Sequence, residues 1–290
     1  MDNLNKEIEV TVCVVTYNHK DYIRKCLDSI LSQETTFKYE VIVHDDCSTD
    51  GTTDILREYE KIYPDVIKPI YNQENRYKLH IAYYANIMFP LAQGKYIACC
   101  DGDDYWTDKY KLQKQFEIME KNPNYSLCYH NYSILRDGEI VLRNIKRPSV
   151  QNLEEAASDF SVQTTSMFFR NPHVCLIPSG FTFKYRVYQF FWALRLAEFG
   201  DIYYIDEAMS VARVHAGGIF NGSDNKRRFQ MSIGNLQNMI DWYSKGNVQP
   251  KVVKALKKRA RCAAKPYIVS AAKHLRLKEL IEMLSMVVSL

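Results

Sequence analysis

The segment Val10-Thr11-Val12-Cys13-Val14-Val15 is an unbroken apolar and β-branched run. A run that is apolar on both faces fits a strand buried inside a parallel sheet. From Asp21 to Gln33 the period changes, and Ile23, Leu27, Ile30 and Leu31 recur at helical spacing. The same alternation repeats downstream. Tyr39 to Val43 reads as a strand, Gly51 to Tyr63 as a helix stopped by Pro64, and Val66 to Tyr71 as a third strand. A helix is expected over Ile81 to Ala92, closed by Gly94, and a fourth strand over Lys95 to Cys100. Thr107 or Asp108 then caps a helix through Met119, which ends before Asn122-Pro123.

This βαβ alternation predicts an α/β fold with a doubly wound, mostly parallel sheet. In such sheets ligands bind beyond the carboxyl ends of the strands. Three polar segments fall at those ends: Thr16-Tyr17-Asn18-His19, Asp45 to Gly51, and Asp101-Gly102-Asp103-Asp104. The second half is less regular. Tyr125 to Leu142 reads as a hairpin turning at Asp137-Gly138, Thr165 to Arg170 as a strand, Val187 to Phe199 as a helix ended by Gly200, and Ile202 to Ile205 as a strand. From Lys226 the pattern is helical, with a break at Gly246 to Pro250. The expected division is an α/β domain over residues 1–225 and a helical extension over 226–290.

Composition changes this picture little. A chain of 290 residues with 47% hydrophobic and 25% charged residues can bury a substantial core. The net charge of +4 gives no argument for nucleic acid. The basic residues are concentrated late, from Lys251 through Lys254, Lys257, Lys258, Arg259, Arg261, Lys265, Lys273 and Arg276 to Lys278. A solvated helix face is the simpler reading; a membrane-surface contact or a docking surface is the other. The eight cysteines form no CxxC pair and no zinc-ligand spacing, which points to a reduced, cytosolic protein. Met1 to Val10 lacks the pattern of a signal peptide, and no apolar run has the length of a membrane span. A membrane would be met from its surface, at the cytoplasmic side.

The candidate chemistry lies in the polar segments. Three carboxylates within four residues repel one another unless something positive sits among them. Mg2+ or Mn2+ would relieve this, typically taking one or two of the oxygens together with substrate phosphates. Since Thr107 or Asp108 can cap the next helix, Asp101 and Asp103 are left without a structural task. Ser48 to Gly51 can cap a helix, whereas Asp46 at a strand end could accept the N–H of a uracil ring. Tyr17 could stack on a base.

Together these segments resemble family 2 glycosyltransferases, inverting enzymes with the GT-A fold. The resemblance rests on VCVVTYNHKDYIRKCLDSILSQ, YEVIVHDDCSTDGTTDIL and GKYIACCDGDDYWTDKYKLQKQ, in that order, and more loosely on YIDEAMSVARVHAGGI. It implies transfer of a sugar from a nucleotide-sugar, UDP-sugar by preference, to a saccharide or lipid-linked acceptor, in the manner of bacterial surface-polysaccharide enzymes. By resemblance, Thr16, Tyr17, Asn18, Asp46, Asp101 and Arg213 would hold the donor, with Lys78 and Asn86 lining its pocket. Asp103, Asp101 and His215 would bind the metal. The family's general base, an Asp at a helix start, falls on Gln189, which cannot take a proton. Asp201, Asp206 and Glu207 are the nearest carboxylates in sequence. The departure leaves a second reading, a non-catalytic nucleotide-sugar-binding protein. A haloacid dehalogenase-type phosphatase carries its acidic pair after the first strand, and a nicotinamide dehydrogenase needs a GxGxxG there; this chain has neither.

Overall fold

The apolar runs of the first hundred residues form one half of a continuous sheet in a computed structural model of the chain. The structure describes residues 7–77, 83–143, 145–171, 188–218, 224–245, 249–274 and 276–288. The strands are β1 (Ile8–Thr16), β2 (Lys38–Asp45), β3 (Ile67–Tyr71), β4 (Tyr96–Asp101), β5 (Tyr105–Trp106), β6 (Tyr125–Arg136), β7 (Glu139–Leu142), β8 (Val150–Gln151), β9 (Phe168–Arg170) and β10 (Asp201–Val214). They join in the order β3-β2-β1-β4-β9-β6-β10-β5, with β7 on β6 and β8 on β10. The first four are parallel, β9 runs antiparallel to both β4 and β6, and β10 is parallel to β6.

The helices α1 (Ile23–Leu31) and α2 (Thr52–Ile62) alternate with the first strands, as the periodicity predicts. Ile23, Cys26, Leu27 and Ile30 bury one face of α1 against Val10, Val12 and Val14. A π-helical turn, Tyr84–Met88, runs into one α-turn, α3 (Phe89–Leu91), where a longer helix over Ile81 to Ala92 is expected. The Asp137-Gly138 turn has positive φ at both residues, 51° and 85°, the conformation that tight hairpins require.

Three expectations are corrected. The helix after the acidic segment, α4 (Lys111–Lys121), starts later than expected and has no side-chain cap. Thr107 instead donates its N–H to Met209 O, while the Asp108 carboxylate accepts from Tyr110 N and Lys114 Nζ. The Thr165–Arg170 strand is split into a 3-10 turn, Thr164–Ser166, and β9. The strand expected over Ile202 to Ile205 is fourteen residues long, because polar Asp206 and Glu207 sit at a register shift against β6 and pairing resumes beyond them.

The remaining helices are α5 (Leu153–Ser158), α6 (Gln189–Ala197), α7 (Asn225–Lys245), α8 (Pro250–Lys273) and α9 (Leu277–Val288). Phe229, Ile233, Leu236, Met239, Ile240 and Tyr243 of α7 and Val252, Leu256 and Ala260 of α8 share one apolar cluster with Cys13, Ile97 and Phe169 of the sheet.

Lys111, the first residue of α4, is wholly buried. Its Nζ donates to Gln115 Oε1 at 2.7 Å and lies 4.0 Å from the centre of the Trp106 ring. Burial pulls its pKa down to about 7. Between about 7 and 10.5 the unfolded chain binds a proton there that the folded chain does not, so this group makes stability rise with pH across that window. Thermal melts of the wild type and Lys111→Met from pH 7 to 10 should show the wild type gaining on the variant as pH rises.

Candidate functional site

The ends of β1, β2 and β4 lie side by side, with Thr16 opposite Asp45 and Val15 opposite Asp101. The three polar segments therefore meet at one sheet edge. The turn after β4 is tied down by backbone bonds, Gly102 N to Val15 O at 2.8 Å and Asp104 N to Asp101 O at 2.9 Å. Gly102 passes so near β1 that a Cβ there would lie 2.8 Å from Thr16 Cβ and 3.0 Å from Val15 O. The short β5 follows, and it pairs with β10 through Ser210 and Val211. That pairing brings Arg213 and His215, more than a hundred residues downstream, onto the acidic turn.

Asp103 is the centre. Its Oδ2 lies 2.9 Å from His215 Nε2 and 3.9 Å from His19 Nε2. Ligand atoms of His19, Asp103 and His215 all lie within 4.8 Å of one another, a grouping that could hold a metal ion. Burial alone would raise the Asp103 pKa, but the His215 hydrogen bond and the charges of His19 and His215 outweigh it and hold the group below its usual range. Tyr22 packs on His215 with ring centres 4.9 Å apart.

The other two carboxyl groups behave differently. Burial, then the neighbouring Asp103 charge, push Asp101 up to about 7, against the hydrogen bonds of Tyr84 and Thr164. Its Oδ1 accepts from Tyr84 at 2.9 Å. Asp104 is pushed well above its ordinary value by burial and then by Asp103 and Asp101. It accepts Arg213 N at 2.8 Å and Gln163 Nε2 at 3.2 Å. Asp101 thus has a structural partner after all, and among the described residues it stands beside the His19–Asp103–His215 group rather than in it. A cation is also not needed to relieve three full charges, because burial already disfavours two of them.

The donor-side residues divide. Arg213 sits between the rings of Tyr105 and Tyr22, at 4.6 and 5.2 Å, and its guanidinium donates to Asp103 O. It therefore braces the acidic turn. Asn18 has φ 54°, accepts Thr49 N–H at Oδ1 at 2.8 Å and donates its own N–H to Ser48 Oγ at 2.9 Å, linking the first two loops. Thr16 is buried, and its hydroxyl has no partner among the described residues. Tyr17 is 40% exposed at the rim and free to stack. The Asp46 carboxylate takes four donors: Arg76 N at 2.6 Å, Tyr77 N at 3.1 Å, Tyr83 Oη at 3.1 Å and Asn72 Nδ2 at 3.2 Å. In this arrangement it anchors the 72–77 loop. Asn86 is exposed on the π-helical turn, and Lys78 lies outside the described residues.

Gln189 is the first residue of α6, so the position does open a helix. Of the nearby carboxylates, Asp206 accepts from Tyr204, Glu207 pairs with Lys114 at 2.5 Å, and Asp201 opens β10 at the end opposite Arg213. His19 is the residue that sequence reasoning left without a role, together with Tyr22, Tyr105 and Gln163. The available signal was its position: a histidine just past the end of the strand that neighbours β4.

The sequence profile of glycosyl transferase family 2 matches residues 11–186. The chain belongs to that family. An uncharacterized protein of Mycobacterium tuberculosis, Rv1520, is 35% identical over 229 residues, 76% of this chain and 62% of that protein. The chain thus spans less than two thirds of that relative's length. The putative teichuronic acid biosynthesis glycosyltransferase TuaG of Bacillus subtilis is 39% identical over 148 residues, covering 51% of this chain and 56% of TuaG. Among solved structures, the mannosyltransferase PcManGT of Pyrobaculum calidifontis, in complex with GDP-Man and Mn2+, aligns with a TM-score of 0.64 at 21% identity, covering 93% of this chain and 76% of that one. Staphylococcus aureus TarS with UDP-GlcNAc aligns at 0.57 and 16% identity, covering 95% and 90%. These likenesses concern the fold, which is GT-A.

Gly102→Ala should force the acidic turn away from Thr16 and lower stability by on the order of 1–3 kcal/mol, as overpacking does. Denaturant titration of the two proteins measures this.

Proposed function

We propose that this chain transfers a sugar from a nucleotide-sugar donor, a UDP-sugar by preference, to a saccharide or lipid-linked acceptor, with inversion and with help from Mg2+ or Mn2+. The observation that carries the reading is the convergence of Asp103 and His215 at the strand edge of a family 2 chain. A divalent ion held there would neutralise charge growing on the leaving diphosphate. The chain's own residues do the rest. Arg213 and Asp104 fix the acidic turn from β10, and Tyr84 and Thr164 fix Asp101. Exposed Tyr17 offers a face for the base. Use of Asp46 to read that base requires the carboxylate to release some of its four bonds, three of which come from the 72–77 loop.

The donor's identity rests on analogy: PcManGT was solved with GDP-Man and TarS with UDP-GlcNAc. Gln189 supports a second reading, donor binding without transfer, because it puts an amide where the family has its base. Thermal melts with a panel of UDP- and GDP-sugars, with and without Mn2+, address both readings. At donor near 100 times its Kd the stabilisation is about 2.7 kcal/mol, which raises the melting temperature by roughly 5–10 °C. Asp103→Ala should remove the Mn2+-dependent part. An unaltered shift in that variant would overturn the metal assignment. Stabilisation with no hydrolysis or transfer across many acceptors would favour the second reading.

A lipid-linked acceptor would bring the enzyme to the cytoplasmic face of a membrane. None of the described helices is long and apolar enough to cross one. The surface of α9 supports peripheral contact instead. Leu277, Ile281, Leu284 and Val288 are exposed at 68%, 67%, 44% and 85%, and their spacing sets them on one narrow face. Exposed Lys265, Lys273, Arg276 and Lys278 stand near them in the chain. An apolar stripe flanked by basic residues fits an anionic lipid surface. The full chain should therefore co-sediment with phosphatidylglycerol vesicles and far less with phosphatidylcholine, and Ile281→Glu with Leu284→Glu should abolish this. Equal sedimentation of the double variant would refute the contact.

A further inference from the structure

We infer that His19 is a third metal ligand, so that the site is a two-histidine, one-carboxylate centre that selects Mn2+-like ions over Mg2+. This rests on the metal-assisted reading above and goes beyond it by naming a ligand from β1 and an ion class.

The first observation is an imidazole that approaches Asp103 without a hydrogen bond to it. His19 Nε2, the nitrogen nearer the acidic turn, is 3.9 Å from Asp103 Oδ2, close to it but beyond hydrogen-bond reach. The side chain is 17% exposed and Asp103 and His215 19%, so the group is enclosed yet open to solvent on one side.

The second observation is how firmly His19 is aimed. Its backbone N–H donates to Thr52 Oγ1 at 2.9 Å, and its carbonyl accepts Tyr22 N and Ile23 N at 2.9 and 2.8 Å. Lys20 N donates to Asp50 Oδ2 at 2.9 Å just beyond it. The loop is thus bonded on both sides of the ring, to the N-terminus of α2 and to the start of α1. Asp103 and His215 are held equally from β4 and β10.

The third is the spacing. Two ligands at right angles on an ion about 2.1 Å from each lie about 3 Å apart. His215 and Asp103 are at 2.9 Å, and His19 needs to close by less than an ångström from 3.9 Å. An ion so bound would keep further positions for diphosphate oxygens and water. Nitrogen ligands favour first-row transition ions, with affinity rising from Mn2+ through Fe2+ to Co2+. Mg2+ prefers an oxygen shell and sheds water reluctantly.

Pulsed EPR of the wild-type chain loaded with Mn2+, alone and with UDP, counts the nitrogens directly, and incorporation of 15N-histidine identifies them without any substitution. Two histidine couplings are expected, one lost in His19→Ala and the other in His215→Ala. EPR titration should show Mn2+ affinity falling by roughly tenfold or more in His19→Ala and His19→Gln, while Mg2+ affinity changes less. Melts in metal-free buffer verify that each variant is folded. A single coupling that is lost only in His215→Ala would overturn the role of His19 and leave the metal-assisted reading standing. Absence of bound Mn2+ in the wild type, with or without UDP, would overturn both.

Discussion

Where negative charge can reside at the end of β4 governs the rest of the site. Asp101, Asp103 and Asp104 follow one another out of a buried strand, and burial makes ionising all three expensive. The surroundings resolve this unequally. Asp104 is enclosed by Gln163 and the Arg213 backbone, and Asp101 is bonded to Tyr84. Asp103 alone faces two imidazoles. Charge is thereby concentrated on Asp103.

The β-sheet makes that inequality possible. The turn between β4 and β5 is too short to position itself, and it borrows rigidity from β1 through Gly102 and from β10 through β5. The stacking of Arg213 between Tyr22 and Tyr105 links α1, β5 and β10 at the same point. Electrostatics and topology are therefore coupled: unpairing β5 from β10 would disperse both the histidine and the arginine from Asp103.

Much of this was readable in the chain. Buried parallel strands advertise themselves by continuous apolar runs, so β1, β2 and β4 and the loops at their ends are legible in the sequence. The length of β10 was not readable, because Asp206 and Glu207 interrupt the apolar pattern where a register shift absorbs them. The tasks of Asp46 and Asp104 were hidden for a different reason. A carboxylate that organises a loop and one that meets a ligand look alike in sequence, and only the donors around them tell the two apart.

The helices after residue 225 carry a consequence for how the chain can be dissected. Phe229, Ile233, Met239 and Leu256 belong to the same apolar cluster as Cys13 and Ile97 beneath the strand-end loops. Trimming the chain there would strip a wall from the sheet rather than detach an accessory piece. The face formed by α9 is consequently not on a tether. Any surface it rests on would meet the strand edge at one set distance and tilt.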